Sequence, residues 1–272
     1  MQRPVVWAAI QLSSQGDVGA NLESVARLIA EAARRGATLA VLPENFAYMG
    51  DEEGKRALAE ELEPAAGPIA RALVEAARAS GVTVVAGGFP ERSADPARPY
   101  NTCAVFAPDG RLVARYRKLH LFDVELSDGT RYRESASTSA GEGTVVAEVD
   151  GAGLGLSICY DLRFPELYRA LSAAGAEVMV VPAAFTLLTG KDHWQVLLRA
   201  RAIEAQAYVI AAAQWGRHPG GRATYGKSCI IDPWGEVIAQ ASEGEGVVTA
   251  TLDPAYLARV RATLPALRHR RL

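Results

Sequence analysis

Residues 153–184 read GLGLSICYDLRFPELYRALSAAGAEVMVVPAA, and this stretch decides the class of fold. The runs 153–158 and 177–184 are apolar and have the length of buried strands. Between them, residues 165–176 have the apolar spacing of a helix. A strand, a helix and a second strand in this order are typical of α/β proteins. The first strand leads directly to Cys159, and a tyrosine, an aspartate and an arginine follow it closely.

The alternation of strand and helix patterns extends over the rest of the chain. A Pro-Asp-Gly turn at 108–110 separates two runs with period-2 alternation, which predicts a hairpin. No linker, short repeat or low-complexity tract interrupts the pattern, so we expect one domain over residues 1–272. Further helix patterns lie at 21–37, 67–81, 193–206 and 254–264.

Two arrangements of the strands satisfy this pattern. Two sheets stacked face to face, with helices outside, would bury every apolar face. A single doubly wound sheet with helices on both faces is the simpler alternative. Periodicity alone does not separate the two arrangements.

The composition is that of an ordinary globular protein. The chain has 272 residues, of which 49% are hydrophobic and 22% charged, and its formal net charge is −2. A balance so close to neutral predicts neither a nucleic-acid partner nor binding to a membrane surface. The apolar stretch 5–10 is too short for a signal peptide and is better explained as a buried strand. We therefore expect a cytoplasmic protein.

The three cysteines, Cys103, Cys159 and Cys229, are far apart and form no Cys-x-x-Cys pair. Neither a disulfide framework nor a structural zinc site is therefore expected. Each cysteine is either a small core residue or a reactive group. Cys103 and Cys229 lie inside alternating strand patterns, which favours the core for both.

Three segments place a reactive residue where a strand meets a loop, which is the usual position of active-site residues in α/β folds. These residues are Glu44, Lys118 and Cys159. A neighbouring ammonium favours the thiolate form of a cysteine, and a carboxylate can move protons. The three groups together suffice for acyl transfer. Taken singly, Glu44 would be a capping or solvated carboxylate, and Lys118 would be part of a basic surface.

Four segments together resemble the signature segments of the nitrilase, or carbon–nitrogen hydrolase, superfamily. The resemblance implies a four-layer α-β-β-α sandwich, which selects the first of the two arrangements. It also implies a small-molecule amide as substrate, a homodimer or higher homo-oligomer, and neither a metal nor an organic cofactor. The four segments, which follow the family order along nearly the whole chain, are LPENF (42–46), RKLHLFD (117–123), YRES (132–135) and CYDLRFPEL (159–167).

The resemblance implies a role for each matching residue. Cys159 would be the nucleophile, Glu44 the general base and acid, and Lys118 the group that stabilises the tetrahedral intermediate. Glu134 matches the second glutamate of the family, which positions the lysine and the substrate; by itself it could be an ordinary ion-pair residue of a loop. The backbone N–H of Tyr160 would point to the position where an oxyanion forms.

The last third of the chain narrows the expected substrate. Residues 193–218, 224–246 and 264–271 closely resemble the branch of the family that hydrolyses deaminated glutathione to 2-oxoglutarate and cysteinylglycine. The ω-amidases, which act on 2-oxoglutaramate, share the His-Trp helix but usually differ at residues 211–218. Nitrile hydrolysis, which uses the same catalytic residues, remains an alternative. A non-catalytic binding protein is a third, against which the complete catalytic set argues.

A set of polar residues is expected to bind the substrate. Arg163 would either pair with Glu166 or Asp161, or hold a substrate carboxylate in a bidentate contact. Arg217 and Arg222 would read the distal carboxylate, unless their Gly-rich loop is simply solvated. The candidates for substrate binding are Tyr160, Arg163, Thr189, His193, Arg217 and Arg222.

The histidines raise the alternative of a cysteine–histidine protease. His120 follows the catalytic lysine, and we expect it to make a structural hydrogen bond. His193 is expected to open a helix near the pocket. His218 and His269 lie in polar stretches of sequence and are assigned no special role.

Overall fold

Sixteen strands and six α-helices are formed by the residues that the computed structural model describes, which are 1–62, 67–125, 129 and 131–271. The strands, in chain order, are β1 (Val5–Gln11), β2 (Leu39–Val41), β3 (Thr83–Glu91), β4 (Tyr100–Phe106), β5 (Leu112–Arg117), β6 (Asp123–Glu125), β7 (Arg131–Arg133), β8 (Val146–Val149), β9 (Ala152–Leu156), β10 (Val178–Ala183), β11 (Tyr208–Ala213), β12 (Trp215–Arg217), β13 (Ala223–Tyr225), β14 (Cys229–Ile231), β15 (Val237–Gln240) and β16 (Gly246–Leu252). The helices are α1 (Val18–Arg34), α2 (Glu52–Ala57), α3 (Pro68–Ser80), α4 (Pro165–Ala173), α5 (Leu187–Ala205) and α6 (Pro254–Thr263).

Most of these strands belong to two six-stranded sheets. The first sheet has the order β16-β1-β2-β3-β4-β5, and the second has the order β15-β14-β11-β10-β9-β8. Within the second sheet, β9, β10 and β11 are parallel neighbours. The segment β9-α4-β10 is therefore the crossover unit expected of an α/β fold. Two short hairpins, β6–β7 and β12–β13, stand apart from the sheets.

Three layers of buried apolar side chains hold the sheets and helices together. One layer, which includes Leu73, lies between the first sheet and helices α1 and α3. The central layer joins the two sheets and includes Trp7 of β1 and Leu156 of β9. The third layer, with Trp194, lies between the second sheet and helices α4 and α5. The layers thus follow the order helix, sheet, sheet, helix, and the predicted α-β-β-α sandwich is confirmed.

Local sequence signals account for several element boundaries. The predicted hairpin around the Pro-Asp-Gly turn is present as β4 and β5, in which Val105 lies opposite Ala114. Helix α6 begins as predicted, with Pro254 in its first turn. The side chain of Asp253 caps this helix by accepting a hydrogen bond from the Ala255 backbone at 2.9 Å.

Helix α5 begins earlier than its sequence predicts. It starts at Leu187, so His193 lies in its second turn, and the expectation that His193 opens the helix is wrong. Glycine has a low helix propensity, so the sequence pattern did not indicate a helix over the first turns. Packing overrides that preference, because a Cβ at Gly190 would lie 2.3 Å from the Tyr225 Cβ of β13. The glycine is needed for this close approach.

Two expectations concern the chain as a whole. Within the described part of the chain, no helix is both long enough and apolar enough to cross a membrane. The organisation of residues 1–272 as one domain stays a prediction.

Candidate active site

Four polar residues converge from four separate loops. Glu44 lies three residues beyond β2, Lys118 follows β5 directly, and Cys159 lies three residues beyond β9. Glu134 opens a short 3₁₀ turn directly after β7. Strands β2 and β5 belong to the first sheet and β9 belongs to the second. The two sheets therefore supply different sides of one site.

Lys118 is the centre of this cluster and is only 2% exposed. Its ammonium donates to Glu44 Oε1 at 3.0 Å and to Glu134 Oε1 and Oε2 at 3.1 and 2.9 Å. Burial alone would lower the pKa of this amine, but the carboxylates of Glu134 and Glu44 outweigh burial and raise the pKa well above its usual value. Lys118 therefore keeps its positive charge inside the protein.

Glu44 is a buried carboxylate with hydrogen bonds to both oxygens. Oε1 accepts from Lys118 and from the Asn101 amide, and Oε2 accepts from the Ala184 backbone N–H at 3.0 Å. Burial raises the pKa of Glu44, but the charge of Lys118 and hydrogen bonds that include one from Cys159 lower it overall. The carboxylate is therefore ionised at neutral pH and available as a base.

Asn101 belongs to the cluster, although no motif pointed to it. Its Nδ2 donates to Glu44 Oε1 at 2.9 Å and to Glu134 Oε1 at 3.2 Å, so one amide links the two carboxylates. The approach requires Gly88, because a Cβ there would lie 2.0 Å from Asn101 Oδ1. The available signal in the sequence was an amide at the start of the otherwise apolar run NTCAVFA.

Cys159 occupies an unusual backbone conformation at the start of a 3₁₀ turn. Its φ of 48° lies in the left-handed region, which residues other than glycine and asparagine rarely adopt. Burial raises the pKa of the thiol well above its usual value, and the negative charge of Glu44 adds to this, whereas Lys118 acts in the opposite direction. The Lys118 ammonium thus favours the thiolate as expected, but burial and Glu44 outweigh its effect on the pKa. The group is a thiol that hydrogen-bonds to Glu44.

Asp161, which is fully buried, holds the turn that carries Cys159. Its Oδ2 accepts from the Tyr116 hydroxyl at 2.7 Å and from the Ile158 backbone at 2.9 Å. Its Oδ1 accepts from the His120 backbone at 3.1 Å and lies 2.7 Å from His120 Nδ1. The interpretation of His120 as a structural hydrogen-bonding residue is confirmed.

A cavity of about 280 Å³ opens beside the cluster. Four of the six predicted substrate residues line it, namely Tyr160, Arg163, Thr189 and Arg222. The same cavity is lined by residues to which the sequence analysis assigned no role, among them Glu52, Lys55, Phe122, Arg131, Tyr132, Phe185 and Thr186.

Arg163 faces this cavity instead of pairing with a carboxylate of its own segment. Among the described residues it forms no ion pair with Glu166 or Asp161, and the expectation of such a pair is wrong. The oxygens of Asp161 are already engaged by the groups that hold the turn. The Arg163 guanidinium instead lies 5.1 Å from the centre of the Phe185 ring and 3.3 Å from His193 Nδ1. It is thus placed to meet a carboxylate in the cavity.

The other predicted substrate residues are placed differently. His193 and Arg217 are not among the described residues that line the cavity, although His193 contacts its wall through Arg163. The Arg217 side chain is exposed, and its carbonyl accepts from the Gln15 side chain at 3.1 Å. Arg222 lines the cavity with its guanidinium 5.6 Å from the centre of the Tyr132 ring. The solvated-loop interpretation therefore fits Arg217 and not Arg222.

His218 has more specific contacts than its polar sequence neighbours suggest. It is 6% exposed, its Nδ1 donates to the Ser14 carbonyl at 2.8 Å, and its Nε2 accepts from the Thr224 hydroxyl at 2.7 Å. Burial lowers the pKa of this imidazole. The expectation that His218 has no special role is wrong in structural terms, because the loop between β12 and β13 turns its ring inward.

The arrangement can perform acyl transfer at a carbonyl carbon. A thiol is hydrogen-bonded to an ionised carboxylate, and a permanent cation lies beside both. In the described part of the chain, no group of three or more histidines, cysteines and carboxylates is placed to hold a metal ion.

Comparison with known proteins identifies the family. The carbon–nitrogen hydrolase family profile matches residues 7–262. The chain is 49% identical over 271 residues to a deaminated glutathione amidase from Synechocystis sp., and the match covers 98% of each chain. It is 39% identical to an omega-amidase from Xenopus tropicalis, over 92% of this chain and 89% of that protein. The solved structure of the C. elegans NitFhit protein superposes with a TM-score of 0.92 at 37% identity, covering 99% of this chain and 65% of that chain. The chain therefore belongs to the carbon–nitrogen hydrolase family, as its four sequence segments predicted.

Proposed function

We propose that the protein is an amidase that hydrolyses deaminated glutathione to 2-oxoglutarate and cysteinylglycine. The reaction class is supported by the Cys159 thiol, which is hydrogen-bonded to Glu44 beside the Lys118 ammonium. The substrate is supported by one observation above all, the 49% identity to a deaminated glutathione amidase over 98% of both chains.

In the first half-reaction, the thiol proton of Cys159 passes to Glu44 as Sγ attacks the γ-carbonyl carbon of the substrate. The oxyanion that forms accepts hydrogen bonds from Lys118 and from the backbone N–H of Tyr160. Glu44 then gives its proton to the amide nitrogen, and the carbon–nitrogen bond breaks. Cysteinylglycine leaves as a neutral amine, and the 2-oxoglutaryl group remains on Cys159 as a thioester.

In the second half-reaction, a water molecule replaces the amine. Glu44 takes a proton from this water as its oxygen attacks the thioester carbon. The tetrahedral intermediate then releases 2-oxoglutarate, and Glu44 returns the proton to Sγ. Glu134 holds Lys118 in place throughout, because both of its oxygens accept from the ammonium and Oε2 also accepts from the Phe122 backbone at 2.6 Å.

The substrate has a carboxylate at each end, and the cavity offers cations for both. Arg163, which lines the cavity without an ion pair among the described residues, would hold the carboxylate of the 2-oxo acid together with Thr189. His193 would orient Arg163 through their 3.3 Å contact. Arg222 would attract the distal carboxylate. Arg217, which is exposed, would act only through long-range attraction.

The test compares two substrates on the same enzyme preparation. We expect deaminated glutathione to have the higher kcat/KM than 2-oxoglutaramate, and aliphatic nitriles to be hardly used. Charge-assisted contacts from the cations of the site to the carboxylate that 2-oxoglutaramate lacks correspond to about 10- to 150-fold in kcat/KM. Omega-amidase activity is the second candidate, favoured by the 39% identity to the Xenopus tropicalis protein. Equal or better use of 2-oxoglutaramate would move the assignment to that activity.

Alkylation separates an enzyme from a binding protein of the same fold. Limiting iodoacetamide should label Cys159 first, because it lines the cavity beside a base. Cys103 and Cys229 are fully buried, and burial raises the pKa of Cys229 to about 12. Peptide mapping of the folded protein checks this, with Cys159→Ser as the control. Labelling of Cys103 or Cys229 ahead of Cys159 contradicts the assignment.

We also propose that residues 1–272 act as one domain in a cytoplasmic homodimer or higher homo-oligomer. Val196, Ile203 and Trp234 are 67%, 47% and 51% exposed, and exposed apolar side chains of this size support burial against another subunit. All three cysteines are free, which supports a reducing compartment. Sedimentation at micromolar concentration tests the assembly, and a monomer of 28.9 kDa contradicts it.

A further inference from the structure

An outer groove continues from the active-site cavity across the surface of the protein. Its volume is about 830 Å³. Four residues line both the cavity and the groove, namely Glu52, Tyr132, Thr186 and Arg222. A ligand can therefore extend from the catalytic cluster into the groove without leaving the protein surface. The reaction steps proposed for Cys159, Glu44 and Lys118 use none of the groove's outer part.

The outer part of the groove combines apolar side chains with a cation. Leu187 and Leu188, in the first turn of α5, line the groove and are 45% and 42% exposed. Lys191 lies one turn further along the same helix and also lines the groove. Among the described residues, Lys191 forms no ion pair. The groove thus presents an uncovered apolar wall next to a cation that pairs with no described carboxylate, although Asp51 and Glu52 also line the groove.

Arg222, the other cation at the groove, is engaged differently. It lies where the cavity and the groove meet, close enough to the Glu52 carboxylate to interact with it electrostatically. Its guanidinium also faces the Tyr132 ring at 5.6 Å. Part of its charge is therefore already balanced by the protein. Lys191 is the cation at the outer end that remains for a ligand.

These features match one part of an amide substrate. The acyl group must reach Cys159, and Arg163 lies in the inner cavity to receive its carboxylate. The group on the nitrogen side of the amide must then point outward. Ammonia as a leaving group would use no groove, whereas an amino-acid or dipeptide amine carries both an apolar part and a terminal carboxylate.

We propose that the groove binds the leaving amine of the substrate, that Leu187 and Leu188 contact its side chain, and that Lys191 binds its terminal carboxylate. This proposal rests on the proposed function, because it requires an amide substrate whose amine is a carboxylate-bearing peptide. It adds a specificity residue on α5 that lies outside the catalytic cluster. Binding energy from such a remote group can also orient the reacting carbonyl, so kcat as well as KM is expected to respond.

The experiment varies the enzyme and the substrate together. The substrates are deaminated glutathione, its C-terminal amide, which lacks the distal carboxylate, and 2-oxoglutaramate. Lys191→Ala should lower kcat/KM for deaminated glutathione by about 3- to 10-fold, and Lys191→Glu should lower it further, because an exposed charge pair is lost or reversed. For the other two substrates, Lys191→Ala should leave kcat/KM unchanged. Arg169→Ala removes an exposed cation of α4 that lines neither cavity nor groove, and serves as the matched control.

The outcomes separate this proposal from the proposed function. If the wild-type protein hydrolyses deaminated glutathione best but Lys191→Ala affects the acid and its amide equally, the carboxylate site on α5 is disproved while the amidase stands. If Arg169→Ala has the same effect as Lys191→Ala, the charge acts at long range and the site is likewise disproved. If the wild-type protein prefers 2-oxoglutaramate, the proposed substrate and the groove assignment fail together.

Discussion

Two charged clusters share strands β4 and β5 but face opposite sides of the first sheet. Thr102 of β4 and Arg117 of β5 bind Glu91, with contacts of 2.7 Å from the Thr102 hydroxyl and 2.8 and 2.9 Å from the Arg117 guanidinium. Their immediate neighbours, Asn101 and Lys118, belong to the catalytic cluster. Because successive side chains of a strand alternate between its faces, one pair of neighbouring strands builds both clusters.

The clusters differ in how completely they are satisfied by the protein. The Arg117 side chain is 34% exposed and shares its charge with solvent, whereas that of Lys118 is 2% exposed. Both oxygens of Glu91 accept hydrogen bonds from the protein, and Glu91 lines neither the active-site cavity nor the outer groove. The catalytic cluster encloses its cation completely and leaves a thiol and a cavity on one side. Similar ion pairs thus stabilise the fold on one face and offer chemistry on the other.

The largest effect on turnover should come from removing the general base, Glu44. Glu44→Gln should lower kcat by about 10²- to 10⁴-fold, because it removes proton transfer in both half-reactions. Cys159→Ala should abolish turnover altogether. Steady-state kinetics check both variants, and far-UV circular dichroism confirms that they are folded. Wild-type turnover in Glu44→Gln would contradict the proposed mechanism.

The matching change in the other cluster should affect stability and not turnover. Glu91→Gln leaves Arg117 and Arg115 without their carboxylate. It should lower the free energy of unfolding by about 1–3 kcal/mol. The loss should be smaller than that of a fully buried ion pair, because both arginines are partly exposed. Urea unfolding measures this loss. The kcat of the folded Glu91→Gln variant should stay within about twofold of wild type, because an intact fold keeps the catalytic groups in place. A loss of kcat as large as that of Glu44→Gln would show that the clusters are not independent.

Neighbouring residues of β4 provide a finer test. Asn101→Ala removes a hydrogen bond that lowers the pKa of Glu44, so the acid limb of the kcat/KM profile should move to higher pH. We also expect about a 10-fold loss of kcat at neutral pH, because both carboxylates lose a partner. Thr102→Val, one residue away on the opposite face, should leave the pH profile in place. A shift in both variants would indicate a general disturbance of β4.

The smallest expected effect is the pH dependence of stability. Burial raises the pKa of Glu91, but hydrogen bonds from Arg117 and Thr102 and the arginine charges lower it overall, below its ordinary value of 4.5. A group with a lowered pKa in the folded state stabilises the protein above its unfolded-state pKa, and this stability is lost as the pH falls through the folded-state pKa. The difference in unfolding free energy between wild type and Glu91→Gln should therefore stay constant down to about pH 5 and shrink below it. If the difference in unfolding free energy grows as the pH falls, the pKa of Glu91 is not lowered in the folded state.

The sequence predicted the parts of the site that lie in contiguous motifs. Lys118 and Glu134 follow strand patterns within recognisable segments, and their meeting in the structure agrees with the roles that the family resemblance implies. Asn101 was missed because its role depends on which face of β4 its side chain occupies. The next residue, Thr102, faces the other side of the sheet and binds Glu91. A single amide in an apolar run carries no local signal for which carboxylates it will meet.

Other differences arose where tertiary contacts decide between local alternatives. Arg163 had two plausible partners nearby in sequence, but Asp161 was already engaged by the Tyr116 hydroxyl and the His120 backbone amide from another segment. The start of α5 was not predicted, because Gly190 weakens the helix pattern there. Glycine is required at this position because Tyr225 leaves no room for a Cβ. Lys191 precedes the helix pattern at 193–206, and its place on the groove wall follows only from the fold.

The left-handed backbone at Cys159 has a consequence for how this protein could evolve. In that conformation an L-residue with a Cβ is strained by about 1–2 kcal/mol, and glycine is the residue that relieves the strain. The replacement that best suits the backbone at position 159 is thus the one that ends catalysis. A lineage released from selection for turnover should therefore drift toward glycine at position 159. Retention of cysteine there indicates continued selection for catalysis.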